Sequence, residues 1–280
     1  MSENQDSYLI GILEKSNFRF LLTDCTSAIS EAVRRHELEG KAAFLLSKVM
    51  IGSFFLAGMV KEENTVSIQL EGEGDIRSVL AYSDRYGRMR GMVRKKEGFV
   101  ESPANSSGKG IFRVTRWGGE RRLHQSVTKM EPTGFESNLL NHIYESDQLI
   151  SFLIINSGPE NRWKGMIFQA LPGTEQKRID EMMDRFSDVD LSADQLMEGD
   201  METILFRMTS FLKEDLKVLD SGKPEFYCGC SLEKIQSVIR SIGKEEARSI
   251  IEEQGKIEIV CEFCRKPYVL DPEEVNLLFM

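Results

Sequence analysis

Four of the chain's five cysteines stand in two close pairs near the C-terminus. Cys228 and Cys230 flank a single glycine; after 30 intervening residues, Cys261 and Cys264 flank Glu262 and Phe263. Two short clips of two sulfurs each are a common way for a chain to build a tetrahedral metal site, because Zn2+ takes four thiolates at about 2.3 Å. Side chains alternate along an extended backbone, so a Cys-x-Cys clip turns both sulfurs to one side. Four thiolates leave no open coordination position, which excludes a hydrolytic centre. Such a site either staples the fold or is built to be lost, and the spacing alone leaves both uses open.

The elements that position these clips are written around them. Ser231 is placed to cap a helix with Ile235, Val238, Ile239 and Ile242 along one face and Gly243 as its stop. Glu245 to Gln254 reads as a second helix, with Ala247, Ile250 and Ile251 inward and Gly255 ending it. Lys256–Val260 and Lys266–Leu270 read as a hairpin whose tip is the second clip. Pro272 opens a last short helix at the first position, which Pro favours. A module of about 55 residues buries too little apolar surface to be secure without a staple.

Upstream, Val66, Ile68 and Leu70 alternate with polar residues, the period of a half-buried strand. Phe18–Leu22, Val79–Tyr82, Arg88–Val93, Ile111–Thr115, Leu149–Ile155 and Gly165–Ala170 read as further strands, and Phe135–Glu145 as a helix. Thr23 to His36 has mixed character. Strands in series with clustered helices predict an α+β fold. The expected organisation is a mixed α/β N-terminal domain over 1–174, a helical and partly disordered linker over 175–225, and a small C-terminal zinc-binding domain over 226–280. The linker is acidic and holds five of the 13 Met residues. Ile204, Leu205, Met208, Leu212, Leu216 and Leu219 fall near one face of a helix predicted over Met201–Leu219. The segment has too many charges to form a core of its own.

Composition narrows the function. A formal net charge of −9 argues against nucleic acid as the main partner, since phosphate binding needs clustered Lys and Arg. Lys41 to Val60 is long and apolar enough for a membrane span, but Lys48 sits in its middle, and a buried helix without a membrane is expected. The polar, acidic stretch Met1–Asp6 is unlike a secretory signal, and close thiol pairs without one point to a cytoplasmic protein. There is no Gly-x-x-x-x-Gly-Lys-Ser/Thr phosphate loop, and Gly72-Glu73-Gly74 alone is too weak to stand for one. Cys25 is expected to be a buried, inert thiol. His36, His124 and His142 are scattered and read as surface or capping residues rather than ligands.

The run Glu225-Phe226-Tyr227-Cys228-Gly229-Cys230-Ser231, then Gly243-Lys244-Glu245-Glu246, Glu253-Gln254-Gly255, and Val260-Cys261-Glu262-Phe263-Cys264 with Tyr268, resembles the C-terminal zinc domain of the heat shock protein 33 family. These are redox-regulated holdase chaperones. The resemblance continues more weakly through Gln69–Gly74, Met89-Arg90-Gly91, Gly108-Lys109-Gly110, Ser146-Asp147-Gln148 and Gln169–Gly173. Residues Trp117 to Gly134 depart from the family pattern. So does Lys164, which stands where the family has the first of two glycines.

The resemblance implies a non-enzymatic, ATP-independent chaperone of oxidative stress. It implies one Zn2+ per chain in the reduced state, held by Cys228, Cys230, Cys261 and Cys264. Oxidation to two disulfides would expel the metal, unfold the module and linker, and expose apolar surface to unfolding client proteins. Ile204, Met208, Leu212 and Leu216 are the candidate client-binding residues, and a homodimer is expected when the chain is oxidised. Adjacency within each clip motivates the pairing Cys228–Cys230 and Cys261–Cys264, with a cross-clip link such as Cys230–Cys261 as the competing pattern. Two other classes compete: a zinc-ribbon binding module with a structural metal, and a thiol oxidoreductase using Cys261 and Cys264.

Overall fold

Two β-sheets share one buried helix in the first part of the chain. The computed structural model describes residues 6–60, 65–100, 108–158, 162–187 and 192–279, which divide into two units, Met1–Phe226 and Tyr227–Met280. The first unit begins with β1 (Ser7–Leu13), β2 (Phe18–Asp24), α1 (Thr26–Arg35) and α2 (Gly40–Gly58). It continues with β3 (Thr65–Gly72), β4 (Ile76–Asp84), β5 (Arg88–Lys95), β6 (Gly110–Gly118), β7 (Arg121–Met130) and α3 (Phe135–Asp147). Then come β8 (Ser151–Gly158), β9 (Arg162–Ala170), α4 (Gln176–Ser187), α5 (Ala193–Leu196), α6 (Met201–Leu212), β10 (Lys217–Gly222) and β11 (Glu225–Phe226). Among the described residues, one sheet runs β10-β1-β2-β9-β8 and the other β11-β5-β4-β3-β6-β7. All neighbours are antiparallel except β11 and β5.

The apolar run becomes α2, which touches β3, β4 and β5 of one sheet and β8 and β9 of the other. It is long and apolar enough to cross a membrane, yet most of it is buried inside this unit. That explains a sequence apolar on all sides: the helix has a sheet on each flank. Gly165 on β9 permits the close approach, because a Cβ there would lie 2.8 Å from the Phe55 ring. The segment Thr23–His36 resolves into the end of β2 followed by α1. The first turn of α1 is satisfied from a distance: the Asp6 carboxylate accepts the N–H groups of Ser27 and Ala28, each at 2.7 Å.

The acidic linker packs onto the outer face of the five-stranded sheet. Ile204, Met208 and Leu212 on α6 are fully buried there with Met182, Leu196 and Met197, against Phe18, Phe20, Leu22, Met166 and Phe168. Phe186 of α4 stacks on Phe152 of β8, with ring centres 5.0 Å apart. The helix predicted over Met201–Leu219 ends earlier than expected. Lys213 takes a left-handed conformation, with φ of 53°, and the chain then pairs with β1 as β10. Leu216 therefore lies beyond α6, although it still packs on the same cluster, while Leu219 is exposed.

Two polar contacts fasten this layer. The Glu214 carboxylate accepts from the backbone N–H groups of Lys15 and Ser16 and from the Ser16 hydroxyl, at the turn between β1 and β2. Lys164, only 1% exposed on β9, lies 3.4 Å from the Asp24 carboxylate and donates to the Gly199 carbonyl just before α6. A buried ion pair that loses one partner typically costs about 3–5 kcal/mol, since the remaining charge is left uncompensated. Lys164→Met should therefore lower the stability of the first unit by about 3 kcal/mol in chemical denaturation. Adding Asp24→Asn should restore part of the loss, and a double variant no more stable than Lys164→Met would refute the pairing.

His142 corrects a sequence expectation. It is neither a surface nor a capping residue but is buried on α3. Its ring nitrogens meet the hydroxyls of Ser126 at 2.9 Å and Thr128 at 3.3 Å on β7. Burial pushes its pKa down to about 4. Between that value and the ordinary 6.5 the unfolded chain binds a proton that the native chain refuses, so this stability is lost as pH falls. The shift corresponds to about 3 kcal/mol in total. Denaturation at pH 7.5 and 5 should show the loss, and His142→Gln should remove most of the pH dependence.

Candidate metal centre

The second unit is assembled from the elements that its caps and stops announce. They are α7 (Leu232–Ile242), α8 (Lys244–Gln254), β12 (Ile257–Val260), β13 (Pro267–Leu270) and α9 (Pro272–Leu277). Ser231 caps α7 by accepting from the N–H of Lys234, and Gly255 ends α8 in the left-handed region. Asp271 and Glu274 form a reciprocal capping box on α9, with Pro272 in its first turn. Ile235, Ile239, Ala247, Ile257, Tyr268, Leu270 and Val275 make a small core of their own. Val238 and Ile242, expected on the inner face of α7, are exposed.

These elements bring the two clips together. Cys228 and Cys230 lie in the irregular stretch that Ser231 ends. Cys261 follows β12, and Cys264 sits in the turn before β13. The turn is tightened by Cys261 N–H donating to the Lys266 carbonyl at 3.0 Å and Arg265 N–H to the Cys261 carbonyl at 2.9 Å. All four sulfurs lie within 4.8 Å of one another. Close approaches join one clip to the other: Cys228 to Cys261 at 3.7 Å and Cys230 to Cys264 at 3.3 Å. A tetrahedron with 2.3 Å metal–sulfur bonds has edges of about 3.8 Å. The four thiols are therefore placed to hold one metal ion, and all four are free of disulfides.

The sulfurs are not equivalent. Burial pushes Cys264 up to about 12 and also raises Cys228. Burial acts the same way on Cys230 but is outweighed by hydrogen bonds, first from the Tyr268 hydroxyl and then from the Cys264 thiol, which bring it down to about 7. Tyr268 donates to Cys230 Sγ at 3.1 Å. That role is carried by the tertiary fold and is not visible in the spacing of Tyr268 from any cysteine. The second clip does not open a helix, as an oxidoreductase thiol pair would to gain a dipole; the chain returns at once as β13.

The remaining candidates stand apart from this cluster. Cys25 is fully buried in the first unit, and burial holds its thiol well above the ordinary range, which makes it inert. His36 closes α1 as its C-terminal cap, and His124 is exposed on β7. Ile204, Met208 and Leu212 form one buried stripe on α6 in the first unit, with Leu216 beyond it. The buried, fastening roles of Glu214 and Lys164 are not legible in the sequence, because a single charged residue does not show whether it is buried.

A family model described as Hsp33 protein matches residues 6–271. A 33 kDa chaperonin of Proteus mirabilis is 26% identical over 277 residues, covering 95% of this chain and 93% of that protein. Another, from Listeria innocua, is 29% identical over 270 residues and 91% of each chain. The fold is similar to the crystal structure of the 33 kDa chaperonin (heat shock protein 33 homolog) of Thermotoga maritima. The TM-score is 0.85 at 23% identity, over 99% of this chain and 98% of that one. The family match runs from just before β1 to just past β13 and takes in all four clustered sulfurs, so the chain belongs to the Hsp33 family of chaperones.

Proposed function

We propose that this chain is an ATP-independent, redox-regulated holdase whose switch is the set Cys228, Cys230, Cys261 and Cys264. The observation that carries the reading is the convergence of these four sulfurs within 4.8 Å. The reduced thiolates hold one Zn2+; bound there, it crosslinks the two clips and supplies folding free energy, on the order of 10–16 kcal/mol in small zinc peptides. That is as large as the whole stability of a typical domain, about 5–15 kcal/mol. The core of the second unit is small, so its order depends on keeping the ligand set intact.

Oxidation removes the ligands. For each disulfide two thiolates give up two electrons, and with hydrogen peroxide as oxidant one peroxide and two protons become two waters. Two disulfides therefore consume two peroxides. Adjacency within each clip favours Cys228–Cys230 and Cys261–Cys264, and the reduced sulfurs also approach one another between clips. Peptide mapping after peroxide treatment decides; a dominant Cys230–Cys264 or Cys230–Cys261 link would exclude the neighbour pairing.

Function then follows along the chain. Cys228 is two residues beyond β11, so loss of order in the second unit begins at the end of the linker. Release of the linker uncovers Ile204, Met208, Leu212 and Leu216 together with the sheet face beneath them. Flexible Met side chains such as Met182 and Met208 adapt to irregular apolar surfaces, which suits unfolding clients of many shapes. Free thiols suit a reducing cytoplasm, and family membership supports a homodimer in the oxidised state. The test is zinc content and client aggregation with and without peroxide. The expected result is loss of about one zinc per chain together with the onset of aggregation suppression. Suppression that begins while the zinc stays bound would overturn the switch.

A further inference from the structure

We propose that the free edge of β7 is a docking site for an extended, acidic segment of an unfolding protein. This rests on the holdase reading only for the source of such segments. β7 is the last strand of its sheet and, among the described residues, pairs with β6 alone. It is ten residues long, and of these only Met130 is buried. From Arg116 opposite His124 to Gly110 opposite Met130 the register is unbroken. A strand with one neighbour presents half of its N–H and C=O groups outward, a template for a further strand. Only an extended polypeptide matches such a row of alternating donors and acceptors.

The side chains say which polypeptide. Ser126 and Thr128 are held from below by His142, so the strand is rigid where a partner would pair. Gln125, Val127 and Lys129 alternate with them on the opposite face, and Val127 is 51% exposed. Within the strand stand Arg121, Arg122 and Lys129 and no acidic residue, in a chain whose net charge is −9. Opposite charges facing one another across strands are favourable and like charges are not. Antiparallel pairing of two copies over the whole strand would set Arg122 against Lys129. An acidic strand sets carboxylates near Arg121 and Arg122 at one end of the edge and near Lys129, itself paired with Glu131 at 2.7 Å, at the other; side chains alternate, so the carboxylates that face Lys129 share its side with Val127.

The test uses the full chain and fluorescent ten-residue peptides in which Val alternates with Glu or with Lys, and the Glu peptide with a central Pro. Binding is read by anisotropy, and its place by hydrogen exchange. The Glu peptide should bind at least about tenfold more tightly than the Lys or Pro peptides and should protect amides within Arg121–Met130. Val127→Glu, or Gln125→Glu as a second exposed position, should abolish that protection without changing zinc content. Arg121→Glu with Arg122→Glu should reverse the preference toward the Lys peptide. Absence of protection on β7, or a concentration-dependent dimer that Val127→Lys dissolves in place of peptide binding, would overturn the proposal. Peptide binding is measured apart from aggregation suppression, so failure of the edge and failure of the holdase reading are told apart.

Discussion

Cys264→Ser should leave the reduced chain without its metal and Tyr227–Met280 without stable structure, while the first unit melts unchanged. Cys264 is the buried member of the four, and its replacement leaves three sulfurs and a hydroxyl, a weaker ligand than thiolate. Loss of an outer-shell partner alone costs about 10- to 100-fold in metal affinity; loss of a ligand should exceed that. Elemental analysis should fall from about one zinc per chain to near none. Amides of α7, α8 and β12 should exchange as in an unfolded segment. Cys25→Ser is the matched control: it removes a thiol that touches none of the four, so zinc content should not change. Stoichiometric zinc in Cys264→Ser would mean that the convergence of the four sulfurs is not the site.

The second large effect is expected at the linker. Leu212 is fully buried between α6 and the sheet. Truncating a buried Leu typically costs about 2–5 kcal/mol, and a carboxylate placed there without a partner adds a further penalty. Leu212→Asp should therefore release α4 to β10 from the sheet while the core around α2 holds. Hydrogen exchange should show protection lost over Gln176–Gly222 and kept over Gly40–Gly58. Leu216→Asp, beyond the end of α6, should do less. The reduced Leu212→Asp protein should already suppress some client aggregation, with a weaker maximum because part of the client surface is damaged. Full protection of the linker in this variant would refute the layer as described. An unprotected linker with no gain in suppression would place the client surface elsewhere.

The parts of this fold that sequence shows well are those decided locally. α2 is apolar on every side because it is enclosed on both sides, and the caps Ser231, Gly255 and Asp271 each sit where a helix begins or ends. The clips announce themselves for the same reason, since a metal needs donors at short spacing. β7 is different. Its residues are polar or charged on both faces, so no alternation marks it, and pairing with β6 alone makes it a strand. The end of α6 was hidden because apolar residues continue at helical spacing past Leu212, while the competing claim on Lys217–Gly222 comes from β1 at the other end of the unit. Lys164 looked like a departure from pattern; its partners, Asp24 and Gly199, are far from it in sequence.

The place of β1 between β2 and β10 sets a clock on biosynthesis. Its first neighbour follows it after a short turn, but its second is among the last strands of the unit to be made. Lys217 closes onto Glu14 across 203 residues of sequence, and at Gly11 the fit is so close that a Cβ would meet the Lys217 carbonyl at 2.2 Å. At about 5–20 residues per second, β1 waits roughly ten to forty seconds on the ribosome with one edge open. Contacts so distant in sequence form late, and this late-closing strand belongs to the linker that oxidation is proposed to release. A chain in its active state thus revisits a stage of its own synthesis. The same nascent edge needs shelter from neighbouring polypeptides until Gly222 has emerged.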